Sequence, residues 1–173
     1  MPLYEFEGKR PEIDPSAWVA PSADIVGAVK IGPCCYVGWG AVLRGDHGVI
    51  ELQEGVAVEE GVIIHTPKDF LSRFGVQATL GHGAMFHGAT VEDFAVVGMR
   101  ATVSNHGRVG VWSIIGEAGL VKASQHVPPG SIAVGQPVEV IGPVTEAHRE
   151  RWLRAKRAYM DFAARNQKGI RLL

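Results

Sequence analysis

The chain has 173 residues, 46% hydrophobic and 20% charged, and its 17 Lys and Arg almost balance 18 Asp and Glu to a formal charge of -1. That size accommodates one domain or a tightly joined pair. The charge balance leaves no electrostatic footprint for a polyanion, so no nucleic-acid partner is expected. The opening MPLYEFEGKRPEID lacks a basic start followed by an apolar core, and nowhere do 18 apolar residues run together, so neither a secretory leader nor a membrane span is expected. The only cysteines, Cys34 and Cys35, are neighbours in sequence and build no disulfide framework. A reducing, cytoplasmic setting is the expectation.

In chain order, residues 1–12 read as an N-terminal strand cap, with Tyr4 and Phe6 alternating with Glu5 and Glu7. From Ile13 every sixth residue is aliphatic: Ile13, Val19, Ile25, Ile31, Val37, Leu43 and Val49. A second frame gives Leu52, Val58 and Ile64. A third gives Leu80 and Phe86, and a last one Val91, Val97, Val103, Val109, Ile115, Val121 and Val127. A period of six fits neither a helix nor a long alternating strand, so each unit is a short strand closed by a turn. Such units bury their single aliphatic residue only by stacking, which is the logic of a parallel β-helix. With 22 glycines, about twice the average share, the chain is well supplied for corners.

Residues 13–142 are therefore assigned to the β-helix, with a loop leaving it at 66–79 where the period is interrupted. About seven coils of 18 residues make a prism about 34 Å tall. Thr145 is a good N-cap for a helix over 145–166, whose His148, Trp152, Ala155, Tyr159 and Phe162 form one stripe expected to pack on the prism. Residues 167–173 form a tail. From 145 onward eight basic residues face three acidic ones, a net +5 that leaves -6 on the remainder and suits a solvated face or an oligomer contact.

The interruption carries the candidate chemistry. His65 opens it, and GHGAMFHG after it supplies His82 and His87. Three imidazoles are the right number for a catalytic metal that keeps one position for water. Spacing alone leaves open that these are ordinary surface or interface histidines, and His47, His106, His126 and His148, each isolated, are read as solvated or packed.

Arg44-Gly45-Asp46, His65 after VII, and GHGAMFHG at 81–88 resemble the γ-class carbonic anhydrase-like family of the hexapeptide-repeat superfamily. YEFEGKRP (4–11), VAPSADIVGAV (19–29) and LRGDHG (43–48) are closer still to its phenylacetic acid degradation and carnitine operon subgroup. The resemblance implies an all-β fold, a left-handed parallel β-helix with a C-terminal α-helix, although the usual crossover is right-handed. It also implies a homotrimer with three interfacial sites, in which His65, His82 and His87 hold Zn2+, or Fe2+ or Co2+, with His82 from the neighbouring subunit. Arg44 and Asp46 would pair between subunits. Metal-bound hydroxide would then hydrate carbon dioxide; carbonic anhydrase is the standard example of zinc bringing its bound water to a pKa of about 7.

Two alternatives stand beside that reading: hydrolysis of an acyl-CoA thioester by the same nucleophile, and a metal-free hexapeptide acyltransferase using one histidine as general base. The sequence departs from the family ahead of the first ligand, where Asn-x-Gln-Asp-Gly is replaced by Ala57-Val58-Glu59-Glu60-Gly61. Glu59 and Glu60 are thus candidate catalytic positions. An ionised Glu59 could only accept a hydrogen bond from bound water, which would make that water harder to ionise and carbon dioxide hydration weak at neutral pH.

Overall fold

The structure, a computed structural model, describes residues 2–173; Met1, the first residue of the cap segment, lies outside the described residues. Short parallel strands stack as a left-handed β-helix of about 7 turns with one C-terminal helix. Inter-coil pairing sorts the aliphatic period into three columns. The first face aligns Ile13, Ile31, Leu52, Phe74, Val91, Val109 and Val127. The second aligns Val19, Val37, Val58, Leu80, Val97, Ile115 and Ala133. The third aligns Ile25, Leu43, Ile64, Phe86, Val103 and Val121. Except for the half-buried Ile13 and Val19 at the open end, these side chains are sealed in the core.

The phase slips seen in the sequence all fall at one corner, between the third and first faces. There the six-residue unit gains three residues between Leu43 and Leu52, gains four between Ile64 and Phe74, and loses one between Phe86 and Val91. Two expectations are corrected as a result. Val49 points outward, and Ile50 takes the core position beside Val29. The loop expected over 66–79 spans only 66–70, because Leu71–Phe74 is a strand with Phe74 in the core and Thr79–Leu80 is the next strand.

Corners need a residue in the left-handed region, but glycine does not supply most of them. Cys34, Gln77, Phe94, Arg100, His106, Trp112, Ala118 and Ser124 all take positive φ. Many glycines serve close approach between coils instead. A Cβ on Gly81 would lie 2.8 Å from both Met99 N and Val97 O, and Gly98 and Gly116 meet the next coil equally tightly. The ends are closed as the exposed backbone requires. Leu3–Tyr4 pairs with Ile25 and Val26, and Val138–Pro143 folds back antiparallel on Ser131–Gly135.

Helix α1, Glu146–Gly169, starts at Thr145, whose side chain caps the His148 amide while the His148 ring accepts from the Thr145 amide. It descends the second face to the first coil, where Gln167 donates to the carbonyls of Pro15 and Ala17. Its contact stripe is rotated from the expected one. Lys156 and Ala163 are buried, while Phe162 is exposed and Ala155 is only half-buried. The reason is polar: Lys156 Nζ donates to Gln77 O at 2.7 Å, Thr79 Oγ1 at 2.9 Å and Ala95 O at 3.4 Å, satisfying groups that apolar contact could not.

Gly81→Ala should cost about 1–3 kcal/mol, read as a lower urea midpoint, because the new methyl group meets backbone on two sides. Gly142→Ala, which meets nothing within 4 Å, should leave the midpoint unchanged. Burial pushes Lys156 down to about 7 despite the opposing pull of Glu59. Between that value and the unfolded 10.5 the unfolded chain holds the extra proton, so stability should climb with pH across this window and Lys156→Met should flatten the climb. The same pH slope in both proteins would count against the lowered pKa of the buried lysine.

Candidate functional site

The irregular corner gathers one group of candidates. His65 ends Ile63–His65 and His87 ends Met85–His87, one coil above, so the two are direct register partners with ring centroids 4.9 Å apart. The three residues gained in the coil below carry Asp46 to the same place, where its Oδ1 lies 3.1 Å from His65 Nε2. Arg44 Nη1 donates to Asp46 Oδ2 at 2.5 Å. Within the single chain this pair closes on itself, one coil below His65. His87 Nδ1 is held by Asn105 Oδ1 from the next coil.

Each histidine therefore has one nitrogen fixed by an oxygen and the other left for a ligand. Burial, and then the Arg44 charge, lower the pKa of His65, outweighing the pull of Asp46, so its ring is neutral at ordinary pH, the form that binds metal. Burial works against ionisation of Asp46, but Arg44, the His47 amide and His65 together hold its carboxyl below the usual range.

His82 does not join them. The GHG motif places it on the opposite edge of the third face: Gly81 lies too close to the next coil for any side chain, and Gly83 takes the corner at φ +68. His82 bridges two carboxylates, with Nε2 3.2 Å from Glu59 Oε2 and Nδ1 2.7 Å from Glu60 Oε2. Glu59 is only 6% exposed and also accepts from the His82 amide at 3.0 Å. Burial raises its pKa, partly offset by His82 and by a hydrogen bond from Tyr159 of α1. Glu60 accepts from Tyr36 Oη at 2.6 Å. Among the described residues of one chain, no group of three His, Cys, Asp or Glu side chains could hold a metal ion.

Asn105, Tyr36, Tyr159 and Lys156 are not singled out by sequence reasoning. Asn105 is within reach of it, since it stands 18 residues, the nominal length of three six-residue units, after His87. The other three depend on how α1 docks on the second face, for which the repeat gives no signal.

Of the remaining histidines, His106 packs its ring against Phe70 of the short loop at 4.8 Å, and His47 lies edge-on to His65 at 6.1 Å. Between the two histidine edges the outer surface of the third face is an apolar ladder. Ile63 and Met85 are each 46% exposed, with half-buried Val42 below, and above them Thr102 interrupts the ladder before Leu120.

In metal-free protein, His65 should titrate below an ordinary histidine. Asp46→Asn should lower its midpoint further by removing the carboxylate that favours the charged ring, and Arg44→Gln should raise it. Imidazole carbon shifts measured by NMR against pH would show this, and shifts of the same sign in both variants would contradict the geometry.

No family model matches the chain. Curated relatives do: the carnitine operon protein CaiE of Salmonella agona (strain SL483) is 34% identical over 171 residues, covering 98% of this chain and 86% of that protein. The CaiE of Escherichia coli O157:H7 is 33% identical over 95% of this chain and 84% of its own length. Among solved structures, a candidate acetyltransferase from Bacillus cereus superposes with a TM-score of 0.92 at 25% identity, covering 94% of each chain. A hexapeptide transferase family protein from Anaplasma phagocytophilum gives 0.89 at 27% identity, covering 93% of this chain and 95% of its own. No helix among the described residues is long and apolar enough to cross a membrane.

Proposed function

The chain belongs to the family of the carnitine operon protein CaiE, a branch of the hexapeptide-repeat β-helix enzymes, and from that premise we propose a metal-dependent enzyme of γ-carbonic anhydrase type. It would activate water between subunits of a homotrimer, for hydration of carbon dioxide or hydrolysis of an acyl thioester. One observation carries the reading. A single sheet face bears two ligand-ready imidazoles, His65 and His87, on one edge, a third histidine, His82, on the other, and an exposed apolar ladder between them.

An apolar face of this kind calls for a partner. Contact between unlike edges of identical chains is heterologous, and where its rotation closes after three copies the resulting ring would bring the His82 of each chain to the His65 and His87 of the next. The donor set fits zinc, with iron(II) and cobalt(II) also compatible: imidazole nitrogens, each oriented by an oxygen on its far side, as metal-bound histidines require. Bound there, the metal would supply a Lewis acid that ionises water near neutral pH.

The chain's own groups do the rest. Asp46 and Asn105 fix the tautomers of His65 and His87, and Arg44 keeps Asp46 ionised. Glu59 and Glu60 orient His82, one of whose nitrogens must leave its carboxylate to bind. Glu59 is already engaged by the His82 amide and ring and cannot donate to bound hydroxide as a glutamine would, so carbon dioxide hydration would be slow at neutral pH.

A second reading is favoured by the same His82 geometry. A half-exposed imidazole braced by two carboxylates at the mouth of a cavity is placed to act as a metal-free general base, as an acyltransferase of this superfamily would use it.

Subunit mixing separates the two. His65→Ala, His87→Ala and His82→Ala homotrimers should each lose most bound zinc, while His106→Ala and His126→Ala keep it. Mixing His82→Ala with His65→Ala subunits should restore part of the metal, because some interfaces then carry an intact set. Full zinc content in all three single variants would reject the metal centre.

A further inference from the structure

Helix α1 packs most closely on strands Trp18–Val19, Tyr36–Val37 and Ala57–Val58, and stands away from the second face above them. The change occurs at Lys156, whose ammonium is fixed to Gln77, Thr79 and Ala95. One turn nearer the helix start, Trp152 spans the gap and leaves a cavity of about 400 Å³ between helix and sheet. Its lower end is polar and belongs to the candidate site, with Glu59, His82 and Thr79 on its wall. Its middle is apolar, formed by Val96, Ile114, Met99 and Trp152. Its far end is flanked by Arg151 and Glu117, neither of which pairs with an opposite charge among the described residues.

We propose that this cavity is the acyl-chain subsite of a thioester hydrolase, holding an unbranched aliphatic chain of about six to ten carbons with its carbonyl at His82. The inference rests on the thioester form of the function proposed above and adds the substrate class. Carbon dioxide is too small to use such a space, and apart from the Trp152 indole N–H and the weakly accepting Met99 sulfur the middle walls carry no polar side-chain atom. At about 30 Å³ per heavy atom the volume accommodates a chain of this length with its carbonyl. The cavity is continuous with the edge that carries His82, so a chain seated in it leaves its thioester beside the activated water. Hydrolysis adds water across the C–S bond: the acyl carbon gains oxygen, the sulfur leaves as thiol, and the acid product gives up a proton.

The test uses the full-length, zinc-loaded protein with acetyl-, hexanoyl-, octanoyl- and dodecanoyl-CoA. kcat/KM should rise about two- to fourfold per added methylene up to roughly octanoyl and then fall. Ile114→Trp, which fills the middle of the cavity, should abolish that rise, and Trp152→Ala should move the optimum to longer chains. Octanoate binding by calorimetry gives a readout independent of turnover, and it should be weakened at least tenfold in Ile114→Trp, with folding checked by the thermal midpoint. A chain-length profile or octanoate affinity identical in wild type and Ile114→Trp would overturn the subsite. Zinc retained with no octanoate binding sinks this inference alone. Octanoate binding lost in Ile114→Trp, in a protein that holds no zinc, would keep the subsite and sink the metal centre.

Discussion

Everything in this molecule hangs on the backbone hydrogen bonds between successive coils. In the regular coils each donates to and accepts from its neighbours at a fixed offset, as where Val96 N reaches Ser113 O and Thr102 N reaches Gly119 O, so the sequence is read out as vertical columns. A residue's chemical neighbours are then the residues one coil away rather than those beside it in the chain. His65 and His87 form one such column, with Arg44 beneath them as the register partner of His65 and Asn105 one residue beyond the position above His87. The site is assembled by arithmetic before any side chain is placed. The same arithmetic explains why extra residues are confined to one corner, since an insertion elsewhere would throw every later column out of register.

The columns also show where function opposes packing. Gly38, Gly81, Gly98 and Gly116 occupy equivalent corners of their coils, and a Cβ on any of them would press within 3 Å of the next coil. In that run the coil of Glu59 alone carries a side chain, and a carboxylate that is almost fully buried. A buried carboxylate is costly unless it is hydrogen-bonded. The His82 amide and ring and Tyr159 supply that compensation, with Lys156 as an opposite charge behind.

The architecture is legible in the sequence because one aliphatic residue in six is a period no other fold produces, and the helix because Thr145 and the charge pattern mark its start. Details depart where one physical demand displaces another. Val49 matches the period, but the enlarged corner around Asp46 turns it outward. The segment 71–74 reads as loop because its core residue is aromatic and out of phase. The helix stripe is displaced by one position because an apolar pattern cannot anticipate a lysine drawn inward by two carbonyls and a hydroxyl.

For the site, the three histidines are visible as residue types, yet their partition is not, because one coil separates His65 from His87 whereas a whole sheet face separates both from His82. That partition has a consequence for control. On the proposed reading a centre divided between two edges would have no ligand set until chains associated, so the reactive arrangement and the assembled state would become one condition. Helix α1 belongs to the same linkage. Tyr159 holds Glu59, Glu59 holds His82, and Lys156 holds the helix to the coils on which both stand. The helix that closes the second face therefore also sets how the His82 edge is presented.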